Sequence, residues 1–160
     1  MVLNHGRYDR IDAKSLDYAH LRRTMSTNFE GSFLVWDSVK SSLNSEARIC
    51  VIGSQLGTRG SPHGADYSAS KAALALWARS LAQAVGADGK RVNIIAPGFV
   101  DTDILAGDTP EKRASRIEEV PLKRIGTPDD IAEAVSYLVS DEANYITGAV
   151  IHVNGGLYLP

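Results

Sequence analysis

A chain of 160 residues, 44% hydrophobic and 22% charged, has the make-up of a single globular domain large enough to bury a core. Its net charge of −2, with no basic stripe, argues against nucleic acid as a partner, and it has no run of 18 apolar residues to span a bilayer. The four histidines (His5, His20, His63, His152) have no ligand spacing and the single Cys50 has no partner, so neither a metal centre nor an internal disulfide is expected.

The first six residues form a short apolar stub ending in Asn4-His5-Gly6. The segment Met1–Asp9 is too polar for a secretory leader, which points to a cytoplasmic protein. Residues 15–43 carry Leu16, Ala19, Leu21, Met25, Phe29, Phe33, Trp36, Val39 and Leu43 at three-to-four spacing, which predicts a long helix with Ser15 as N-cap. Gly31 inside it predicts an irregularity over 28–31, and Trp36 and Trp77 are expected in the core or between helices. Residues 48–53 read as a buried strand, with Cys50 inside it, consistent with a reducing compartment. A Gly/Ser/Pro-rich loop follows over 57–64, then a helix over 66–85 closed by Gly86–Gly89. A strand over 91–96 stops at Pro97-Gly98, and Asn93 within it reads as a structural hydrogen-bonder. Residues 99–126 are polar with one short helix over 110–118, and Asp101, Asp103 and Asp108 read as solvated loop acids. Thr127-Pro128-Asp129-Asp130 starts a helix that reaches about Ser140, and the last strand is 149–153.

Strands alternating with helices predict an α/β fold with a parallel sheet, whose short continuous apolar strands are covered on both faces. In such sheets ligands bind beyond the carboxyl ends of the strands, where Ser54 and Pro97-Gly98 fall. The densest chemistry is Ser54 followed thirteen residues later by Tyr67-Ser68-Ala69-Ser70-Lys71. Tyrosine and lysine four apart share one helix face, and a nearby ammonium is expected to lower the pKa of a phenol from its ordinary value of about 10.

Six segments in order carry a resemblance. They are Thr27–Gly31, Val51–Ser54, Tyr67–Leu74, Arg91–Thr102, Gly126–Ala132, and Ile146–Gly148 with Val153–Gly156. The chain resembles a classical-type member of the short-chain dehydrogenase/reductase family over nearly its whole length. The resemblance implies an oxidoreductase that interconverts a ketone and a secondary alcohol with NAD or NADP. It makes Tyr67 the general acid/base and Lys71 the residue that holds its pKa down and bonds the nicotinamide ribose. Ser54 would bind the substrate oxygen, and Asn28 would anchor a water that relays protons from Lys71. Pro97, Gly98, Val100 and Thr102 correspond to the segment that positions the nicotinamide amide, and Asn4 and Gly6 to the motif lining the adenosine side. Residues 103–120 correspond to the substrate lid.

Against that family the chain reads as N-terminally truncated: the C-terminal part of a Rossmann-like doubly wound sheet within one partial domain, 1–160. It lacks the first strands and the glycine-rich turn that seats a pyrophosphate on a helix N-terminus. His5 stands where the family has a small alanine, so an imidazole is expected to crowd the adenosine ribose. The choice between NAD and NADP is not readable. The first strand would leave an open edge, to be covered by another copy, a partner chain or the missing N-terminal part of the same gene product. The resemblance implies a homo-oligomer, dimer or tetramer, through the helices of 15–43 and 66–85. Two alternatives stay open: a non-catalytic oligomer subunit, and a non-redox proton-transfer enzyme using the same Tyr/Lys/Ser set.

Overall fold

A computed structural model describes residues 1–160. Four strands form one sheet in the order β1 (Val2–Leu3), β2 (Arg48–Ile52), β3 (Arg91–Pro97), β4 (Val150–Val153), every pair parallel. The register sets Cys50 beside Asn93 and Ile95 beside Ile151. Side chains alternate across such strands, so each strand supplies both faces. Ile49, Val51, Val92 and Ile94 go to one face, where they pack with Leu3, Trp36, Leu74, Ala78 and Ala82. Cys50 and Ile95 go to the other, under Leu138 and the half-buried Ile131, Ala134 and Val135. Burial on both faces explains why these strands read as unbroken apolar runs.

The first face is covered by α2 (Gly31–Val39) and α4 (Ala65–Val85), with α1 (Tyr18–Met25) packed on α4, and the second by α6 (Pro128–Val139). The helix expected over 15–43 starts later than predicted. Asp17, not Ser15, is its N-cap: the Asp17 carboxylate accepts the His20 amide at 2.8 Å, while Ser15 sits in a turn closed on the Asp12 carbonyl. The expected irregularity is a π-helical turn, Ser26–Glu30, joining α1 to α2. The loop expected over 57–64 opens with a single helical turn, α3 (Leu56–Arg59), before Gly60 turns it with φ of 75°. Trp36 is core, and Trp77 is half-buried with its ring edge-on to Phe29 and Phe33.

Asn93 has the structural role expected of it. Its amide donates to the Ile146 carbonyl at 2.8 Å and accepts the Ala149 amide at 3.1 Å, stitching β3 to the segment that leads into β4. Arg91 donates to the carbonyls of Leu138 and Ser140, neutralising the C-terminal end of α6. At the start of α6, Thr127 and Asp130 form a reciprocal capping box. The 103–120 segment contains α5 (Pro110–Glu119). The two glycines after β4, Gly155 and Gly156, take φ of 62° and 85°, which turns the chain back against Val120, Pro121 and Leu122.

Candidate active site

At the carboxyl ends of the strands lies a cleft of about 920 Å³. Asn4 and Gly6 reach it from the end of β1, Ser54 from β2, Tyr67 and Lys71 from α4, and Pro97, Gly98, Val100 and Thr102 from β3. A parallel sheet brings these residues together because every strand ends on the same edge. The backbone is held there by bonds between neighbouring strand ends: Gly53 donates to the Ile95 carbonyl at 2.7 Å and Gln55 to the Pro97 carbonyl at 3.1 Å.

Lys71 is 3% exposed. Its ammonium donates to the carbonyls of His5 at 2.9 Å and Ile52 at 2.8 Å, tying helix α4 to the ends of β1 and β2. An ammonium has three donors, so one N–H is left for the cleft. Burial pulls its pKa down from 10.5 to about 8. Ser54 Oγ accepts the Leu56 amide at 3.1 Å, which leaves its own hydrogen free to donate.

Tyr67 corrects the expectation drawn from spacing. Its phenol is raised above the ordinary value, with burial the main cause; Ser54 opposes the shift and the neighbouring Tyr8 adds to it. Lys71 Nζ lies 5.8 Å from the Tyr67 ring centre but spends two donors on main-chain carbonyls, so the phenol's own desolvation prevails.

Asn28 is the one predicted site residue that does not line the cleft. It is fully buried behind it in the π turn, and its side chain clasps the Arg7 main chain from both sides. The Asn28 carboxamide accepts the Arg7 amide at 2.7 Å and donates to the Arg7 carbonyl at 3.0 Å and to Ser70 Oγ at 2.9 Å. The carbonyl of Asn28 accepts the Ser32 hydroxyl at 3.2 Å. The imidazole of His5 is turned toward Ser32 and Gly31, with Nδ1 3.5 Å from Ser32 Oγ.

Three features were not found from sequence. Tyr8 stacks on Tyr67, with ring centres 4.6 Å apart and planes at 34°. Gln55 is buried and accepts from Asn154 at 3.1 Å, tying the serine loop to the turn after β4. Asp108, read as a solvated acid, has a side chain only 1% exposed and is held between Arg10 at 2.6 Å and Arg116 at 2.5 Å. Arg116 in turn covers the Phe99 ring at 4.4 Å. The two guanidiniums, Arg116 foremost, hold the Asp108 carboxyl down at about 2. Asp101 is the exposed acid expected, paired with Arg113.

The cleft floor offers hydrogen-bond donors beside a glycine. Gly6 keeps the floor open beside Lys71, where an added Cβ would come within 3.7 Å of the ammonium. The unspent Lys71 donor and the Ser54 hydroxyl face one space between the β1 and β3 ends. Gly98 is required for packing instead: a Cβ there would lie 2.8 Å from Cβ of Asn154.

Residues 1–158 match the family model described as Enoyl-(Acyl carrier protein) reductase. The chain is 46% identical over 112 residues to 3-oxoacyl-(acyl-carrier-protein) reductase FabG of Escherichia coli, covering 70% of this chain and 46% of that protein. With the FabG of Vibrio cholerae it shares 39% over 137 residues, 84% of this chain and 56% of that one. It superposes with a TM-score of 0.94 on a short-chain dehydrogenase/reductase (glucose/ribitol dehydrogenase) from Brucella melitensis, at 30% identity, covering 99% of this chain and 64% of that one. The chain spans about half the length of the curated relatives it matches.

Proposed function

The chain belongs to the short-chain dehydrogenase/reductase family, and from that premise we propose that it is an oxidoreductase interconverting a ketone and a secondary alcohol with NADH or NADPH. The observation that carries this reading is the convergence of Ser54, Tyr67 and a buried Lys71 ammonium on one cleft. Asn4, Gly6, Lys71, Pro97, Gly98, Val100 and Thr102 would hold the cofactor's nicotinamide end. When bound, the nicotinamide supplies the hydride that the carbonyl carbon accepts.

The chain's own residues handle the oxygen and its proton. Ser54 donates a hydrogen bond to the carbonyl oxygen and stabilises the alkoxide as charge develops there. Tyr67, kept protonated at neutral pH by its raised pKa, gives its proton to that oxygen in reduction and takes it back in oxidation. Lys71 supplies the positive charge that favours the phenolate left behind, and its pKa near 8 lets it return a proton without a large energetic step. Asn28 acts indirectly, by fixing the Arg7 main chain and Ser70 beside the catalytic helix. Residues 103–120 serve as the lid. The names of the FabG relatives make a 3-oxoacyl thioester the first substrate to test. Free, buried Cys50 and the need for reduced cofactor fit a cytoplasmic setting.

The test follows the hydride. With nicotinamide deuterated at C4, the alcohol product should carry deuterium on its carbinol carbon; product formed without deuterium sinks the redox reading in favour of proton transfer alone.

An oligomer is proposed as well. Phe33 and Leu34 on α2 and Leu76 on α4 are 41%, 63% and 65% exposed. Light scattering at micromolar concentration should give a multiple of 17.2 kDa; a strictly monomeric mass contradicts this part.

A further inference from the structure

Tyr8 has no assigned task, yet the structure fixes it in place on three sides. Its ring lies on the Tyr67 ring at 4.6 Å. Its hydroxyl donates to the His63 carbonyl at 3.1 Å, across the mouth of the cleft. Its edge occupies the space where Gly64 has no side chain: a Cβ on Gly64 would lie 2.4 Å from Tyr8 Cε2. The residue before it, Arg7, is the one whose amide and carbonyl Asn28 clasps from the buried π turn. A side chain anchored through its neighbour's main chain, its hydroxyl and a glycine-sized gap is not a surface tyrosine that happens to touch the cleft.

We propose that Tyr8 is a positioning and specificity-determining residue for the carbonyl site. Its ring roofs one face of Tyr67, fixes the plane in which that phenol meets substrate, and narrows the cleft to carbonyl compounds with a slim group on that side. The proposal rests on the redox reading above only for its specificity half. Stacking leaves Tyr67 9% exposed, so a substrate oxygen reaches the phenol from the Ser54 and Lys71 side. The raised pKa of Tyr67 is consistent with this roof, since burial is its main cause and Tyr8 contributes directly. The other titratable groups sharing the cleft are His5 and Arg10 after β1, Arg59 and His63 before α4, Lys71 on it, and Asp103, Lys112, Arg116 and Glu119 from the 103–120 segment.

The test reads the phenols one at a time. In chain labelled with ¹³Cζ-tyrosine, the Tyr67 resonance is identified by its loss in Tyr67→Phe, and its titration is followed in wild type, Tyr8→Phe and Tyr8→Ala. Tyr8→Phe should stay close to wild type, because the ring still covers Tyr67. Tyr8→Ala should lower the Tyr67 midpoint by about one pH unit, as water reaches the phenol. An unmoved midpoint in Tyr8→Ala overturns the positioning role. If Tyr8→Ala fails to fold by circular dichroism, Tyr8→Ser carries the same comparison, since it too uncovers the phenol, and its Tyr67 should again titrate lower. For specificity, kcat/KM for a ketone branched beside the carbonyl, relative to its straight-chain isomer, should rise about tenfold or more in Tyr8→Ala and not in Tyr8→Phe. An unchanged ratio overturns the specificity role. A wild-type chain without NAD(P)H turnover removes the redox reading, while the resonance titration still decides whether Tyr8 positions Tyr67.

Discussion

Raising the pH from 7 to 10 should stabilise this fold through Lys71. The side chain is 3% exposed, and burial lowers its pKa from 10.5 to about 8. Below pH 8 the folded and unfolded chains both hold the proton, and the folded chain bears the cost of a buried ammonium. Between about 8 and 10.5 the folded chain has released the proton while the unfolded chain still holds it. The unfolded state then binds more protons, so stability rises with pH across that window. Each tenfold difference in proton affinity between the two states is worth about 1.4 kcal/mol, so integrating from pH 7 to pH 10 gives a gain of roughly 2 to 3 kcal/mol. Tyrosines and other lysines also titrate there, so the quantity to measure is a double difference. Urea unfolding of wild type and Lys71→Met at both pH values should show wild type gaining on the variant by that amount. A difference that stays constant with pH would refute the reasoning, and would mean that the two carbonyl bonds from His5 and Ile52 fully replace the ammonium's hydration.

Asn93→Ala removes both bonds that join β3 to the approach to β4, leaving the half-buried Ala149 amide without a partner and the Ile146 carbonyl with only the long 3.4 Å contact from Arg91. It should cost about 2 to 4 kcal/mol in chemical denaturation. Asp108→Ala leaves the Arg10 and Arg116 guanidiniums without their shared carboxylate and should cost about 2 to 4 kcal/mol, with faster hydrogen exchange over 103–120. Because the Asp108 carboxyl sits at about 2 when folded against 3.8 ordinarily, its contribution is present above about pH 4 and lost as pH falls toward 2; acid unfolding of Asp108→Asn should lack that component. Gly98→Ala drives a Cβ to 2.8 Å from Asn154 and should lower the thermal midpoint by several degrees, with turnover lost alongside stability.

The strands and the Ser54/Tyr67/Lys71 set were legible in sequence because each is local: an apolar run, a four-residue helical spacing, a serine at a strand end. The fault in the long helix was legible too, since Gly31 closes a π turn whose other end is Ser26. What escaped depends on distance in sequence. Asp108 looked solvated because its partners are Arg116 on the far side of a turn and Arg10, almost a hundred residues earlier. Tyr8 carried no signal because its partners, Tyr67 and Gly64, reach it only through the sheet. The acidity of Tyr67 was misjudged because spacing to Lys71 reports proximity of charge and not burial, and burial prevails here. Ser15 lost the cap to Asp17 two residues on, where a carboxylate meets the first free amides.

The most direct test of the account is the rate of NADH or NADPH oxidation, followed by absorbance of the reduced nicotinamide, with a 3-oxoacyl thioester as acceptor, for wild type, Tyr67→Phe and Ser54→Ala. Acceptor-dependent oxidation should fall by about a hundredfold or more in Tyr67→Phe, and to a lesser degree in Ser54→Ala, with cofactor affinity little changed in Ser54→Ala. Equal rates in wild type and Tyr67→Phe would contradict the assignment of the proton to this phenol.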